Sequence, residues 1–199
     1  VDFSLSTWVK ITDWDGAHYR LFTKYEDSNN HWMLQKDGNG AIVFTAKGDD
    51  GDSDETLVNH GTTNDTSTDN DGNWVHICLS VDRDGNFVFY KNGSAVKTVD
   101  ISASALQLIT LSNAGDMRIG SQATNSAFDV LGSMDDSAIW NVALDADAVA
   151  AVYNSGKPFD LNVNRGNYDN ASALQGYWRM GNGPFDDKVN GIVHDAHNP

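Results

Sequence analysis

The sequence predicts an all-β protein: two antiparallel sheets facing each other across an apolar core, with one short helix near residues 145–155. Three observations predict it. Strand-length runs with a period of two recur from Phe3 onward, Asn-Gly and Asp-Gly pairs separate several of them at hairpin spacing, and the 199 residues contain a single convincing helical pattern. A sheet with one apolar face must be covered, and with so little helix available a second sheet is the natural cover.

The elements follow in order. Phe3, Leu5, Thr7, Val9 and Ile11 alternate with Ser4, Ser6, Trp8 and Lys10, which reads as a half-buried strand. Asp13-Trp14-Asp15-Gly16 is a loop. Tyr19 to Tyr25, His31 to Gln35 and Ala41 to Ala46 read as three short strands, separated by the turn formers of 26–30 and 36–40. From Gly48 to Gly72 the chain is rich in Asp, Gly, Asn, Ser and Thr. Only Leu57, Val58 and His60 hint at a strand there, and so long a loop region is a candidate for function.

The segment Asp71 to Val99 is the clearest. Trp74, His76, Cys78, Ser80 and Asp82 alternate with Val75, Ile77, Leu79 and Val81; Asp84-Gly85 and Asn92-Gly93 then turn the chain twice, giving a three-stranded meander. Met117 to Gly120 and Ser133 to Trp140 are further strands. Asp145 is placed to cap the helix, Leu144 and Val149 to staple its start, and Gly156 with Pro158 to stop it. Phe159 to Ser172 reads as a linker, Leu174 to Met180 as a last strand, and Gly181 to Pro199 as a tail. The domain reading is therefore 1–157, a linker at 158–173, and 174–199 as a strand and tail.

Composition bounds the function. The net charge of −15, with glutamate only at Glu26 and Glu55, makes nucleic acid and anionic membrane poor partners. No run is long enough to span a bilayer, and no signal peptide is read. A chain that begins at Val1 reads as a processed product or an excerpt of a longer one. Cys78 has no intrachain partner and sits mid-strand as a packing residue.

The order of pieces resembles a laminin-G-like jelly roll, a branch of the concanavalin A-like lectin and glucanase superfamily. The matching pieces are Phe3-Ser-Leu-Ser-Thr-Trp-Val-Lys10, Asp71-Gly-Asn-Trp-Val-His76 leading into Val81-Asp-Arg-Asp-Gly85, Tyr90-Lys-Asn-Gly93, Met117-Arg-Ile-Gly120, Gly132-Ser-Met-Asp-Asp136, Ile139 to Leu144, and Val152 to Gly156. The resemblance implies a two-sheet jelly-roll sandwich. It also exposes a departure. The Gly-Tyr-Trp-Arg strand with which family members commonly open is missing at the start and stands at the far end, within Gln175 to Gly183. Either this segment folds back to fill the first strand's place, the favoured reading, or it begins a neighbouring module. Similar modules with a Trp-Arg-Met-Gly segment belong to tail and capsid-surface proteins of bacteriophages, so the resemblance implies a virion or other extracellular setting.

Metal binding is the first chemistry the residues offer. Calcium wants several oxygen ligands, and Asp-rich turns can supply them. The resemblance implies Asp135 as a ligand; Asp27 and Asn29 are placed to converge on it, with Asp49, Asp52 and Asp54 as a rival cluster. The plainer alternative is that Asp135 bonds a neighbouring amide and the others are solvated turns. Carbohydrate binding is the second. Trp14, His18, Tyr25, His31 and Trp32 lie in or near loops able to present ring faces and planar polar groups to a sugar, with Trp14, His18 and Trp32 the expected ligand contacts. An enzyme is the weakest reading, since Glu26 and Glu55 are isolated in loops and the six histidines pair with neither a zinc motif nor a nucleophile. The sequence thus predicts a non-catalytic surface module that binds a glycan, stabilised by calcium. The alternative is a decoration or fibre protein that contacts neighbouring subunits or its own copies and recognises no sugar.

Overall fold

The computed structural model describes residues 1–12, 17–48, 56–61, 72–102, 110–122, 126–180, 188–189 and 192–193. Among the described residues, thirteen strands fall into two antiparallel sheets, accompanied by one α-helix. The chain divides into two compact units, residues 1–10, 74–98 and 133–199, and residues 11–73 and 99–132. Among the described residues, no helix is long and apolar enough to cross a membrane.

The first unit holds the eight-stranded sheet. Its strands are β1 (Phe3–Ile11), β6 (Trp74–Val81), β7 (Asn86–Lys91), β8 (Ser94–Asp100), β10 (Gly132–Trp140), β11 (Leu174–Trp178), β12 (Lys188–Val189) and β13 (Ile192–Val193). They lie in the order β13-β12-β11-β10-β1-β6-β7-β8. Asn92 and Gly93 both take positive φ, as the tight hairpin between β7 and β8 demands. The β6–β7 turn works differently: the Gly85 amide donates to the Asp82 carbonyl at 3.1 Å, and no residue there has positive φ. A Cβ at Gly85 would stand 2.4 Å from an Asp82 carboxylate oxygen, a contact that a shift of the Asp82 side chain would relieve.

Alternation predicts that β1 and β6 bury one face. They bury both. Ser4 and Ser80 face each other across the β1–β6 ladder, as do Ser6 with Cys78 and Trp8 with His76, and all six are buried. The reason is the helix α1 (Ala146–Tyr153) and the chain leading into it, which lie over this face. The Ser4 hydroxyl donates to the Val142 carbonyl and accepts from the Leu144 amide, both at 2.9 Å, and the Ser80 hydroxyl donates to the Leu144 carbonyl at 2.7 Å. Tyr153 stacks on Trp8 with ring centroids 5.6 Å apart. The serines therefore act as ties to backbone groups beneath the helix, where an unmade hydrogen bond would cost about 1–3 kcal/mol. The helix itself starts as its sequence predicts, with the Asp145 carboxylate accepting from the Ala148 amide at 2.8 Å, and it ends on a left-handed Asn154.

The 158–173 segment is not a linker. Leu161 and Tyr168 are buried against Trp140 and Tyr177, and the Tyr168 hydroxyl accepts from the Trp140 indole at 3.0 Å while donating to the Leu161 carbonyl at 2.8 Å. Its polar composition hides two apolar anchors. Strand β11 then pairs antiparallel with β10, setting Ala138 opposite Tyr177, so the Gly-Tyr-Trp strand lies within the sheet of its own chain.

The second unit holds the five-stranded sheet, ordered β5-β4-β3-β2-β9: β2 (Tyr19–Tyr25), β3 (His31–Lys36), β4 (Ile42–Gly48), β5 (Thr56–Gly61) and β9 (Met117–Ile119). Its register separates two faces. Phe22, Leu34, Phe44 and Ile119 share one row across the strands, with Lys24, Trp32, Ala46 and Met117 in the next, forming the apolar face. Arg20, Gln35 and Val43 share a row on the opposite, polar face, followed by Thr23, Met33, Thr45 and Arg118, then Tyr25, His31 and Lys47. A bulge between Arg20 and Phe22 keeps both patterns in step.

Candidate functional site on the polar face of the five-stranded sheet

The polar face gathers cations in a chain whose net charge is −15. Arg20 stands in β2 with only 9% of its surface exposed. Its guanidinium carbon lies over the Phe128 ring, 4.2 Å from the centroid, and its Nε donates to the Gln122 Oε1 at 3.0 Å. Nη1 is buried without a hydrogen-bond partner, and so is the Oε1 of Gln35, the residue opposite Arg20 in the ladder. Burial pulls the Arg20 pKa down to about 10, so the side chain stays charged at neutral pH. Thr23 anchors the adjoining segment by donating to the Ser121 carbonyl at 2.9 Å.

At the far end of the same strands, His31 stacks on Tyr25 at 5.4 Å, and its Nδ1 lies 3.1 Å from the Asp27 carbonyl. Since a carbonyl only accepts, Nδ1 carries the proton and Nε2 is the acceptor of the neutral ring. Burial lowers the His31 pKa, and the charges of Lys47 and Arg20 add to that, outweighing the Asp27 bond, so the ring is neutral at pH 7. The face thus offers a charged planar donor, planar amide and imidazole edges, a hydroxyl from Thr45, and ring faces at both ends. The polar groups and the Tyr25–His31 pair are mounted on strands, and Phe128 on the short helical turn Ser126–Phe128, which holds them in position before a ligand arrives.

The sequence-predicted ligand contacts divide. His18 is exposed and meets Phe128 edge-on, with centroids 6.3 Å apart, beside the ring that supports Arg20. Trp32 belongs to the other face, where it stacks on Phe44. Trp14 lies outside the described residues. Arg20, Gln35 and Phe128 were not legible as a group, because the register and the return of the chain at Ser126–Phe128 bring them together. The sequence signal was modest: Arg20, Lys24, Lys36 and Lys47 concentrate in strand-like runs of an otherwise acidic chain.

The predicted metal ligands are engaged elsewhere. One Asp27 carboxylate oxygen accepts the Asn29 and Asn30 amides at 2.7 and 2.8 Å, which hold its pKa below the ordinary value. Asn29 Oδ1 accepts from the Lys47 ammonium at 2.8 Å, a cation where calcium would need the same oxygen. Asp135 Oδ1 accepts the Asp136 amide at 2.8 Å, the plainer alternative drawn from the sequence. Asp49, Asp52 and Asp54 lie outside the described residues. Asp2, Asp82 and Asp84 bring one carboxylate oxygen each within 4.8 Å of one another, a grouping common on surfaces without an ion.

Two buried polar clusters look chemical but are sealed. Ser6 Oγ lies 2.8 Å from His76 Nε2, yet both residues are inaccessible, and burial lowers the His76 pKa to about 3. Asp136, with a positive φ of 44°, accepts from the Tyr177 hydroxyl and lies 3.7 Å from the Arg179 Nε. Burial raises its pKa to about 6 against the opposing pull of Tyr177.

A laminin-G family model, described as the concanavalin A-like lectin/glucanases superfamily, matches residues 1–150. The chain belongs to that superfamily. No curated protein matches it in sequence. Among solved structures it is similar to a Bacteroides ovatus ATCC 8483 protein assigned to carbohydrate binding, with a TM-score of 0.65 at 15% identity over 98% of this chain and 49% of that one. It is also similar to the CBM40 of Ruminococcus gnavus IT-sialidase bound to α2,3 sialyllactose, with a TM-score of 0.58 at 16% identity over 76% of this chain and 82% of that one. A third is the binding domain of botulinum neurotoxin DC in complex with rat synaptotagmin II, with a TM-score of 0.53 at 19% identity over 80% and 37%. The chain spans about half the length of the first of these. At such identities the likeness shows the jelly-roll fold, which superfamily members put to many uses.

Proposed function

We propose that the chain is a non-catalytic carbohydrate-binding module that holds a saccharide on the polar face of the five-stranded sheet. The observation that carries this reading is the row Arg20–Gln35 with the Tyr25–His31 stack on the same strands, which puts planar polar groups and ring faces side by side. Sugars are gripped by that combination, hydroxyls by the polar edges and the C–H faces by the rings. The similarity to a sialyllactose-bound CBM40 supports it. Glycoside hydrolysis would need two opposed carboxylates, whereas this face carries cations, and Glu26 is occupied with the Ala114 amide at 2.9 Å.

The setting we propose is extracellular, on a virion or another surface assembly, where a strongly acidic module does not compete for nucleic acid. Calcium belongs to the reading as a stabiliser of acidic turns, apart from the sugar site; heat on titration and a chelator-reversible melting shift support it, and neither appearing removes it. A glycan array with the wild-type protein and the Tyr25→Ala, His31→Ala and Trp14→Ala variants tests the site. Signal lost in the first two places the sugar on this face. An array with no signal at all sinks the reading.

One observation favours a second reading, protein–protein contact. Among the described residues strand β8 is the last of its sheet, and Val96 is 44% exposed there. Concentration-dependent self-association in the ultracentrifuge, together with a silent array, would select it.

A further inference from the structure

We propose that Arg20 and Gln35 form a carboxylate-recognising subsite, so that the saccharide this module takes is an acidic sugar. The inference rests on the carbohydrate reading above and narrows its ligand class. Arg20 has no counter-ion: among the described residues no carboxylate pairs with it, although the chain carries 28 acidic residues. Arg20 is only 9% exposed, and taking a cation out of water without an anion beside it is costly.

Its surroundings define what it lacks. Phe128 lies against the guanidinium and Gln122 takes Nε; Nη1 remains a donor with no acceptor. Directly across the ladder, Gln35 Oε1 remains an acceptor with no donor. The two deficits are complementary to one group, a carboxylate accepting from Arg20 whose neighbouring hydroxyl donates to Gln35. A sugar acid carries both, the hydroxyl one ring carbon further on in a uronic acid and on the glycerol side chain in a sialic acid. A guanidinium pairs with a carboxylate and with a tetrahedral oxyanion alike, so a sulfated probe is needed to separate the two. Positive Lys47 at the other end of the face adds attraction for the same ligand, whose approach the rest of the surface, being acidic, does not assist.

The test uses isothermal titration of the full chain with sialyllactose and trigalacturonate, against lactose, methyl-esterified trigalacturonate and lactose 3′-sulfate. The acid sugars are expected to bind at least tenfold tighter than their neutral counterparts, with affinity falling as salt rises. Arg20→Gln should lose at least tenfold for the acids and remove their preference over the neutral sugars. Because Arg20 is buried, Gln35→Glu is the second variant: it supplies the missing counter-ion from within, so it should raise the melting temperature while abolishing acid-sugar binding. Neutral sugars bound as tightly as acids, or acid-sugar binding intact in Gln35→Glu, overturns the subsite and leaves the carbohydrate reading standing. Preference for the sulfated probe overturns the carboxylate assignment. No binding of any saccharide, acidic or neutral, overturns both.

Discussion

Replacing Asp136 with asparagine should stabilise this protein at neutral pH, and the structure gives the size. The Asp136 carboxyl is buried, its Oδ2 has no hydrogen-bond partner, and its pKa is raised from 3.8 to about 6. A carboxyl that holds its proton more tightly when folded favours folding in acid. Its contribution is fully present below pH 3.8 and is lost as pH rises through about 6, above which the folded chain carries the buried carboxylate. A shift of about 2 pH units at about 1.4 kcal/mol each amounts to about 3 kcal/mol. Asparagine keeps the shape, still accepts from the Tyr177 hydroxyl, tolerates the positive φ of 44°, and cannot ionise. Urea denaturation at pH 4, 6 and 8 should therefore show Asp136→Asn more stable than wild type by about 3 kcal/mol at pH 8, with the gap shrinking toward pH 4. The other carboxylates titrate alike in both proteins and cancel in the comparison. A variant less stable than wild type at pH 8, or a gap independent of pH, would refute the reasoning.

Further expectations concern the packed interior. Tyr168→Phe strands the Trp140 indole N–H and the Leu161 carbonyl, both paired to the lost hydroxyl, and should cost about 2–4 kcal/mol in denaturant titration; a loss under about 0.5 would show that neither bond contributes. Gly115→Ala would set a Cβ 2.3 Å from the Tyr25 carbonyl oxygen, where backbone cannot give way, so a loss of about 1–3 kcal/mol is expected and a wild-type melting temperature would be contrary. Burial raises the Cys78 thiol pKa, so a thiol reagent should label it only in denaturant; rapid labelling of the native protein would contradict its placement. His76, with its pKa lowered to about 3 by burial, should show no NMR titration between pH 5 and 8, and a midpoint near 6.5 would place the ring in water.

The sequence disclosed the frame through its local rules. Alternation in Phe3–Ile11 and Trp74–Val81, the Asn92-Gly93 pair and the Asp145 cap each depend on neighbours in the chain, and each element stands where they predict. It misled where a second layer intervenes. Ser4, Ser6, Ser80 and His76 alternate like a solvated face, yet a helix lies over them and their side chains tie to partners remote in sequence. The polar stretch 158–173 misled likewise, because two apolar residues suffice to pin it. The Arg20–Gln35 row was invisible for a further reason: it depends on strand register, on a bulge at Leu21, and on Phe128 returning from far along the chain.

The roof that residues 157–178 lay over Trp140 and Cys78 has a practical corollary for handling this protein. The family match stops at residue 150, an inviting place to cut an expression fragment. A chain trimmed there would shed Leu161, Tyr168 and Tyr177, uncover the greasy underside they shield, and leave Gly132–Trp140 as a raw margin for other molecules to stick to. The cloning boundary belongs after Trp178.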